Sequence, residues 1–108
     1  MLQQLKKENF SAEILENSGV KVVDFFAEWC MPCQMMHPIL EEVEREYPNV
    51  RFYAVNIDEQ AELASTYGIQ SVPTVIFFRN GQMVDQKVGL LPKETLSQAI
   101  TALLPNTL

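Results

Sequence analysis

Cys30 and Cys33 are the only two cysteines among the 108 residues of the chain, and they stand in the segment Trp29-Cys30-Met31-Pro32-Cys33. The pair directly follows the apolar run Val22-Val23-Asp24-Phe25-Phe26-Ala27. Two thiols at this spacing, where a strand gives way to a helix, can cycle between dithiol and disulfide. The positive end of the helix dipole favours the thiolate of the first cysteine. The thiolate is the form that attacks another disulfide. The second thiol follows one helical turn later, within reach of the mixed disulfide. Thiol–disulfide exchange is the chemistry these residues point to.

Metal binding is the competing reading of the same residues. A structural zinc site takes about four Cys or His ligands. Cys30, Cys33 and His37 are all that the sequence offers, so carboxylates would have to complete the set. His37 itself, one turn beyond Cys33, reads as a half-exposed helix residue, with contact to a thiolate or a partner as the alternative. Asp24 sits in an otherwise apolar strand six residues before Cys30. A buried carboxyl is expensive unless it is paired or used. Its functional reading is a proton acceptor that helps Cys33 attack the mixed disulfide, and its bland reading is a hydrated carboxyl at the rim. Val72-Pro73-Thr74 precedes a strand, because Pro inside a strand would remove a ladder bond. Trp29 is either core or a shield beside the reactive sulfur. Met35 and Met36 read as packing surface.

The elements that must position these residues follow from periodicity and breakers. Leu2 to Lys6 is expected as a short edge strand and Phe10 to Asn17 as a helix with Phe10, Ile14 and Leu15 on one side, ended at Ser18-Gly19. Val20 to Ala27 is nearly continuous and apolar, as in a strand buried on both faces. Pro32 to Tyr47 reads as a long helix with Met36, Ile39, Leu40 and Val43 inward, kinked at Pro38. Pro48-Asn49 is a turn, Val50 to Ile57 a strand, and Glu59 to Tyr67 a helix capped by Asp58 and ended by Gly68. Val75 to Phe78 and Met83 to Val88 form a hairpin about Asn80-Gly81. Pro92 opens the last helix as its first residue, with Leu96, Ile100, Leu103 and Leu104 as its stripe. The order is β-α-β-α-β-α-β-β-α, an α/β fold whose central mixed sheet carries helices on both faces.

Composition narrows the function classes. The formal net charge of −6 argues against nucleic acid and against anionic lipid surfaces. Hydrophobic residues make up 47%, enough for a core without disulfide staples. The N-terminal Met1-Leu2-Gln3-Gln4-Leu5-Lys6-Lys7 has no apolar segment of signal-peptide type, and no run approaches membrane-spanning length. A cytoplasmic protein is the expectation. There a Cys-x-x-Cys is more often catalytic or metal-binding than structural.

These residues resemble the thioredoxin family over essentially the whole chain, read as one domain of residues 1–108. The resemblance is carried by Val23-Asp24-Phe25-Phe26-Ala27-Glu28-Trp29-Cys30, Pro32-Cys33, Pro38-Ile39-Leu40 and Asn56-Ile57-Asp58. It continues in Tyr67-Gly68-Ile69, Val72-Pro73-Thr74, Arg79-Asn80-Gly81 and Val88-Gly89. It implies a thioredoxin fold, Cys30 as nucleophile, Cys33 as buried resolving thiol and Asp24 as proton acceptor. It also implies a cis bond before Pro73 and an apolar docking rim of Trp29, Val72, Pro73, Gly89 and Leu90, with Met31 and Pro32 beside it. The implied activity is reduction of client protein disulfides, with recycling by a thioredoxin reductase. The only redox group would be the Cys30–Cys33 disulfide, without metal or other cofactor, in a monomer. A disulfide isomerase or oxidant, and a non-catalytic binding or metal-carrier module, are the alternatives.

Two positions depart from the family pattern. Met31 stands where thioredoxins usually have Gly, at the active-site surface. Oxidases and isomerases of this fold commonly carry His there, and Met supplies no such cationic support for a thiolate. Ala54 stands where thioredoxins often have a Lys near the buried Asp, so the usual cationic neighbour of Asp24 is missing.

Overall fold

A strand buried on both faces needs cover on both sides, and Val20–Phe26 receives it: only Phe26 is more than marginally accessible. The computed structural model of the protein describes residues 2–105. Its elements are β1 (Gln3–Gln4), α1 (Lys7–Phe10, continued by a π-helical stretch Ser11–Leu15), β2 (Val20–Phe26) and α2 (Met31–Glu46). They continue with β3 (Arg51–Asn56), α3 (Ala61–Thr66), β4 (Thr74–Arg79), β5 (Gln82–Val88) and α4 (Lys93–Leu103). The sheet order is β1-β3-β2-β4-β5. The β1–β3 and β2–β3 pairs are parallel, and the β2–β4 and β4–β5 pairs are antiparallel. The expected mixed sheet and element order are both present.

Side chains alternate across the sheet, so each face has its own core. Val22, Ala54, Val75 and Phe77 pack under Met36, Leu40 and Val43 of α2 and Leu96 and Ile100 of α4. Val23, Phe25, Val55, Ile76 and Phe78 pack under Phe10, Ile14 and Leu63 on the other face. Lys93 ties α4 to α2 through Glu42, at 3.0 Å, and Glu46.

The first helix starts earlier than its apolar pattern indicates. The Asn9 side chain accepts from the Lys6 N–H at 2.8 Å and closes a first turn made of polar residues. Leu15 is exposed rather than inward. Asp58 does not cap α3. The Asn56 carboxamide instead accepts from the N–H groups of Asp58 (2.9 Å) and Glu59 (3.2 Å), holding a turn ahead of the helix. Pro92 is the cap residue of α4 and not its first helical residue, since its ψ of 153° is extended. The α2 helix runs unbroken through Pro38, which faces outward.

Lys21 is the one charged residue of β2 besides Asp24, and it is also buried. Its ammonium donates to the carbonyls of Asn17 (3.2 Å) and Ser18 (2.6 Å), just past the end of the first helix. A cation is favoured there by the negative end of the helix dipole. Desolvation and then Arg51 pull its pKa below the ordinary lysine value.

Candidate active site

β2 ends at Phe26 and delivers the chain to Cys30, which is the N-cap of α2 in extended conformation. Pro32 suits the first turn, where its missing N–H has no helical partner to lose. The Cys30 sulfur accepts from the Cys33 N–H at 3.2 Å. It therefore takes the place of the Ser or Asp oxygen that usually caps a helix. The two sulfurs are bonded as a disulfide, with the Cα atoms 5.3 Å apart. The spacing read from the sequence is thus a closed redox couple on a helix N-terminus.

Both cysteines are buried to the same degree, 4% exposed. The family resemblance implies burial of Cys33 as the resolving thiol, but accessibility in the disulfide does not separate the two cysteines. Their surroundings do. Cys30 is the cap that receives a backbone N–H. Cys33 lies within α2 and lines a cavity of about 360 Å³ together with Asp24, Phe26, Ala27, Glu28, Gln34 and His37.

Asp24 is 1% exposed, and its Oδ1 has no hydrogen-bond partner. It stands in register between Ala54 of β3 and Val75 of β4, on the α2 face of the sheet. With Ala54 in that position no cation lies beside it in the strand. Desolvation raises its pKa from 3.8 to about 7. His37 borders the same cavity half-exposed, with its Nε2 3.5 Å from a Glu41 carboxylate oxygen. The Gln34 side chain is held by the Glu28 carbonyl at 2.9 Å.

The remaining rim residues come from two loops. The Val72–Pro73 peptide bond is cis. The Val72 carbonyl oxygen is 3.6 Å from the Cys30 sulfur. The Pro73 carbonyl accepts from the Gly89 N–H at 2.8 Å, which draws Gly89 and Leu90 to the same loop. Trp29 is 70% exposed, so it is surface and not core. Its indole N–H donates to Asp58 at 2.9 Å. That acceptor was missed from sequence, where Asp58 was assigned to capping, although it lies in a segment that matches the family pattern. Met31 and Leu90 are exposed apolar side chains, and Pro32 is exposed as well. Among the described residues no group of three His, Cys, Asp or Glu side chains is placed to hold a metal ion.

The thioredoxin family model matches residues 1–102. The chain belongs to the thioredoxin family. It is 46% identical over 100 residues to a thioredoxin of Chlamydia pneumoniae, covering 93% of this chain and 96% of the relative. It is 43% identical over 101 residues to a thioredoxin of Rickettsia bellii, covering 93% and 96%. A third relative, thioredoxin 1 of Nostoc sp., is 42% identical over 98 residues, covering 90% and 92%. With thioredoxin relatives across its length and its Cys-x-x-Cys closed as a disulfide, the protein is a protein dithiol–disulfide oxidoreductase. Thioredoxins use such a disulfide in place of a prosthetic group. No helix among the described residues is long and apolar enough to cross a membrane.

Proposed function

We propose that this thioredoxin is a cytoplasmic, monomeric reductant of client protein disulfides, recharged by a thioredoxin reductase. Cys30 is the nucleophile, Cys33 the resolving thiol and Asp24 the proton acceptor. The observation that carries this reading is the asymmetry around the couple. The Cys30 sulfur receives the Cys33 N–H at a helix N-terminus, a position that lowers a thiol pKa. Cys33 instead shares a cavity with an unpaired, buried carboxyl.

The Cys30 thiolate attacks one client sulfur, and a Cys30–client disulfide forms as the other client sulfur leaves as thiolate. Cys33 then gives its proton to the Asp24 carboxylate and attacks the Cys30 sulfur. The Cys30–Cys33 bond forms, the Cys30–client bond breaks, and the second client sulfur leaves with the electron pair. The client is reduced by two electrons and the protein oxidised by two. Trp29, Met31, Pro32, Val72, Gly89 and Leu90 offer an apolar rim around the sulfurs for the client chain, and Pro73, assigned to that rim by the family resemblance, is itself buried. The Val72 carbonyl, 3.6 Å from the Cys30 sulfur, is a backbone acceptor for an extended segment.

Trapping tests the order of attack. Cys33→Ser is expected to accumulate mixed disulfides with client proteins, and Cys30→Ser none. Equal trapping by both variants would overturn the assignment. The direction is tested by the potential of the couple, expected below that of client disulfides; a value above about −200 mV would identify an oxidant or isomerase.

A further inference from the structure

The cavity that joins Asp24 and Cys33 raises the question of where the proton goes next. Once Asp24 has taken the Cys33 proton, it regains the carboxylate by handing that proton back to the Cys33 thiolate when the disulfide is reduced or by releasing it to solvent. A reduced molecule that starts with Asp24 protonated has only the second route. Asp24 is 1% exposed and its Oδ1 has no partner, and Ala54 provides no polar group across the strand. The remaining cavity wall includes Phe26 and Ala27. Its other polar groups are Glu28, Gln34 and His37. Gln34 is an amide, already held by the Glu28 carbonyl, and does not exchange charge. Imidazole is the side chain suited to take and give a proton near neutral pH.

We propose that His37 is the proton outlet of the site, a relay residue that moves the Asp24 proton between the cavity and solvent. It acts through Asp24 and touches neither client nor sulfur, and the inference rests on the reading of Asp24 as proton acceptor. The cavity, about 360 Å³, has room for the water molecules that would connect the two side chains. His37 is half-exposed at its border, with the Glu41 carboxylate 3.5 Å from Nε2 to stabilise the imidazolium that forms. The charged and titratable groups on the path are Asp24, Cys33 and Glu28 on the cavity and Glu41 beside His37, with Arg45, one turn beyond Glu41, also acting on that carboxylate. The complete transfer is Asp24–COOH plus neutral imidazole to carboxylate plus imidazolium, followed by release of that proton to solvent.

A relay makes a kinetic difference because an acid that titrates near 7 sheds its proton slowly to water alone. With reprotonation at a diffusion limit of about 10¹⁰ M⁻¹s⁻¹, the loss runs at roughly 10³ s⁻¹. Asp24 titrates at about 7 with the couple closed, so near neutral pH a share of the reduced molecules begins a turnover with the acceptor already protonated. Those molecules wait for the outlet.

The test is continuous-flow reduction of an excess of a chromogenic aromatic disulfide by the fully reduced protein. It is read on the microsecond scale, because proton loss to water alone takes only about a millisecond. The second thiolate released reports Cys33 attack. In weak buffer at neutral pH, His37→Ala and His37→Gln are expected to show a slow phase in that release. It should be about tenfold slower than wild type, below the roughly 100-fold effect of removing a direct acid–base group. Added imidazole should abolish the slow phase in both variants and leave wild type unchanged. Asp24→Asn should be slow at every imidazole concentration. A wild-type rate in both His37 variants beside a slow Asp24→Asn would overturn the relay alone, as would slow His37 variants that imidazole does not restore. A wild-type rate in Asp24→Asn would overturn the proton-acceptor reading and the relay with it.

Discussion

At the residue scale, Asp24 dominates the pH behaviour of the protein. Its carboxyl titrates at 3.8 in a solvated chain and at about 7 in the fold. Below the lower value both states are protonated and the group has no net effect. As pH rises from about 4 to about 7, the unfolded chain loses the proton while the fold keeps it, so stability falls. Above 7 the loss is complete, on the order of 4 kcal/mol. Asp24→Asn is expected to remove this slope and to raise stability by a few kcal/mol above neutral pH, as read by denaturant melts of the oxidised protein across pH. A destabilised variant with unchanged resolution kinetics would make Asp24 a structural carboxylate. Met31 is a milder case. It is 66% exposed and removes no acid, base or nucleophile. Surface substitutions of this kind shift free energies by about 0.5 kcal/mol. Met31→Gly should therefore keep reduction of a protein disulfide within about twofold to threefold in an insulin-type assay.

At the element scale, strand register decides what each charged side chain meets. Ala54 stands across from Asp24, so Ala54→Lys would put an ammonium beside the carboxyl. Its Asp24 titration, followed by the same melts, is expected to move below 7 toward the ordinary carboxylate range. Lys21, three residues earlier in β2, belongs to the other face and closes the end of the first helix through two carbonyls. Hydrogen bonds from charged donors contribute about 1.5–3 kcal/mol. Lys21→Met should destabilise by about that amount in urea melts while leaving the redox reaction untouched. The turn after β3 carries the other link. Asp58 holds the indole of Trp29, the only tryptophan of the chain. Asp58→Ala should loosen that ring, visible as lower fluorescence anisotropy.

At the scale of the whole molecule, the sheet separates chemistry from anchoring. The cysteines lie beyond the C-terminal end of β2, and the β4–β5 turn lies beyond its N-terminal end, because Val20 pairs with Arg79. At that far end Asn80 and Gly19 exchange two hydrogen bonds, of 2.8 and 3.0 Å. Gly81 has φ of +84° and comes close to the Leu15 carbonyl, with no space for a Cβ. Gly81→Ala must then strain the backbone and push the first helix from the hairpin, at a cost of about 1–3 kcal/mol. Thermal melts should show that loss, with reduction rates at 25 °C unchanged for the folded protein. A matching loss of rate would mean that the hairpin end is coupled to the cysteines.

Much of this thioredoxin was determined by local sequence. The Cys-x-x-Cys at a strand-to-helix junction, the largely apolar β2, the Asn80-Gly81 hairpin and the helical stripe of α2 are short-range signals. Each residue type there suits one backbone geometry, and the structure agrees with all four. The departures occur where the deciding partner is distant in the chain. Asp58 reads as a helix cap until Trp29 is brought to it across 29 residues. Lys21 is overlooked in an apolar run because its carbonyl partners are presented only when the preceding helix ends against β2. His37 reads as an ordinary helix residue until the sheet places Asp24 behind the same cavity wall. Sequence determined the reactive pair and the elements that hold it. Tertiary structure decided its electrostatics, because desolvation and hydrogen-bond partners depend on what the fold packs around a group and not on its neighbours in the chain.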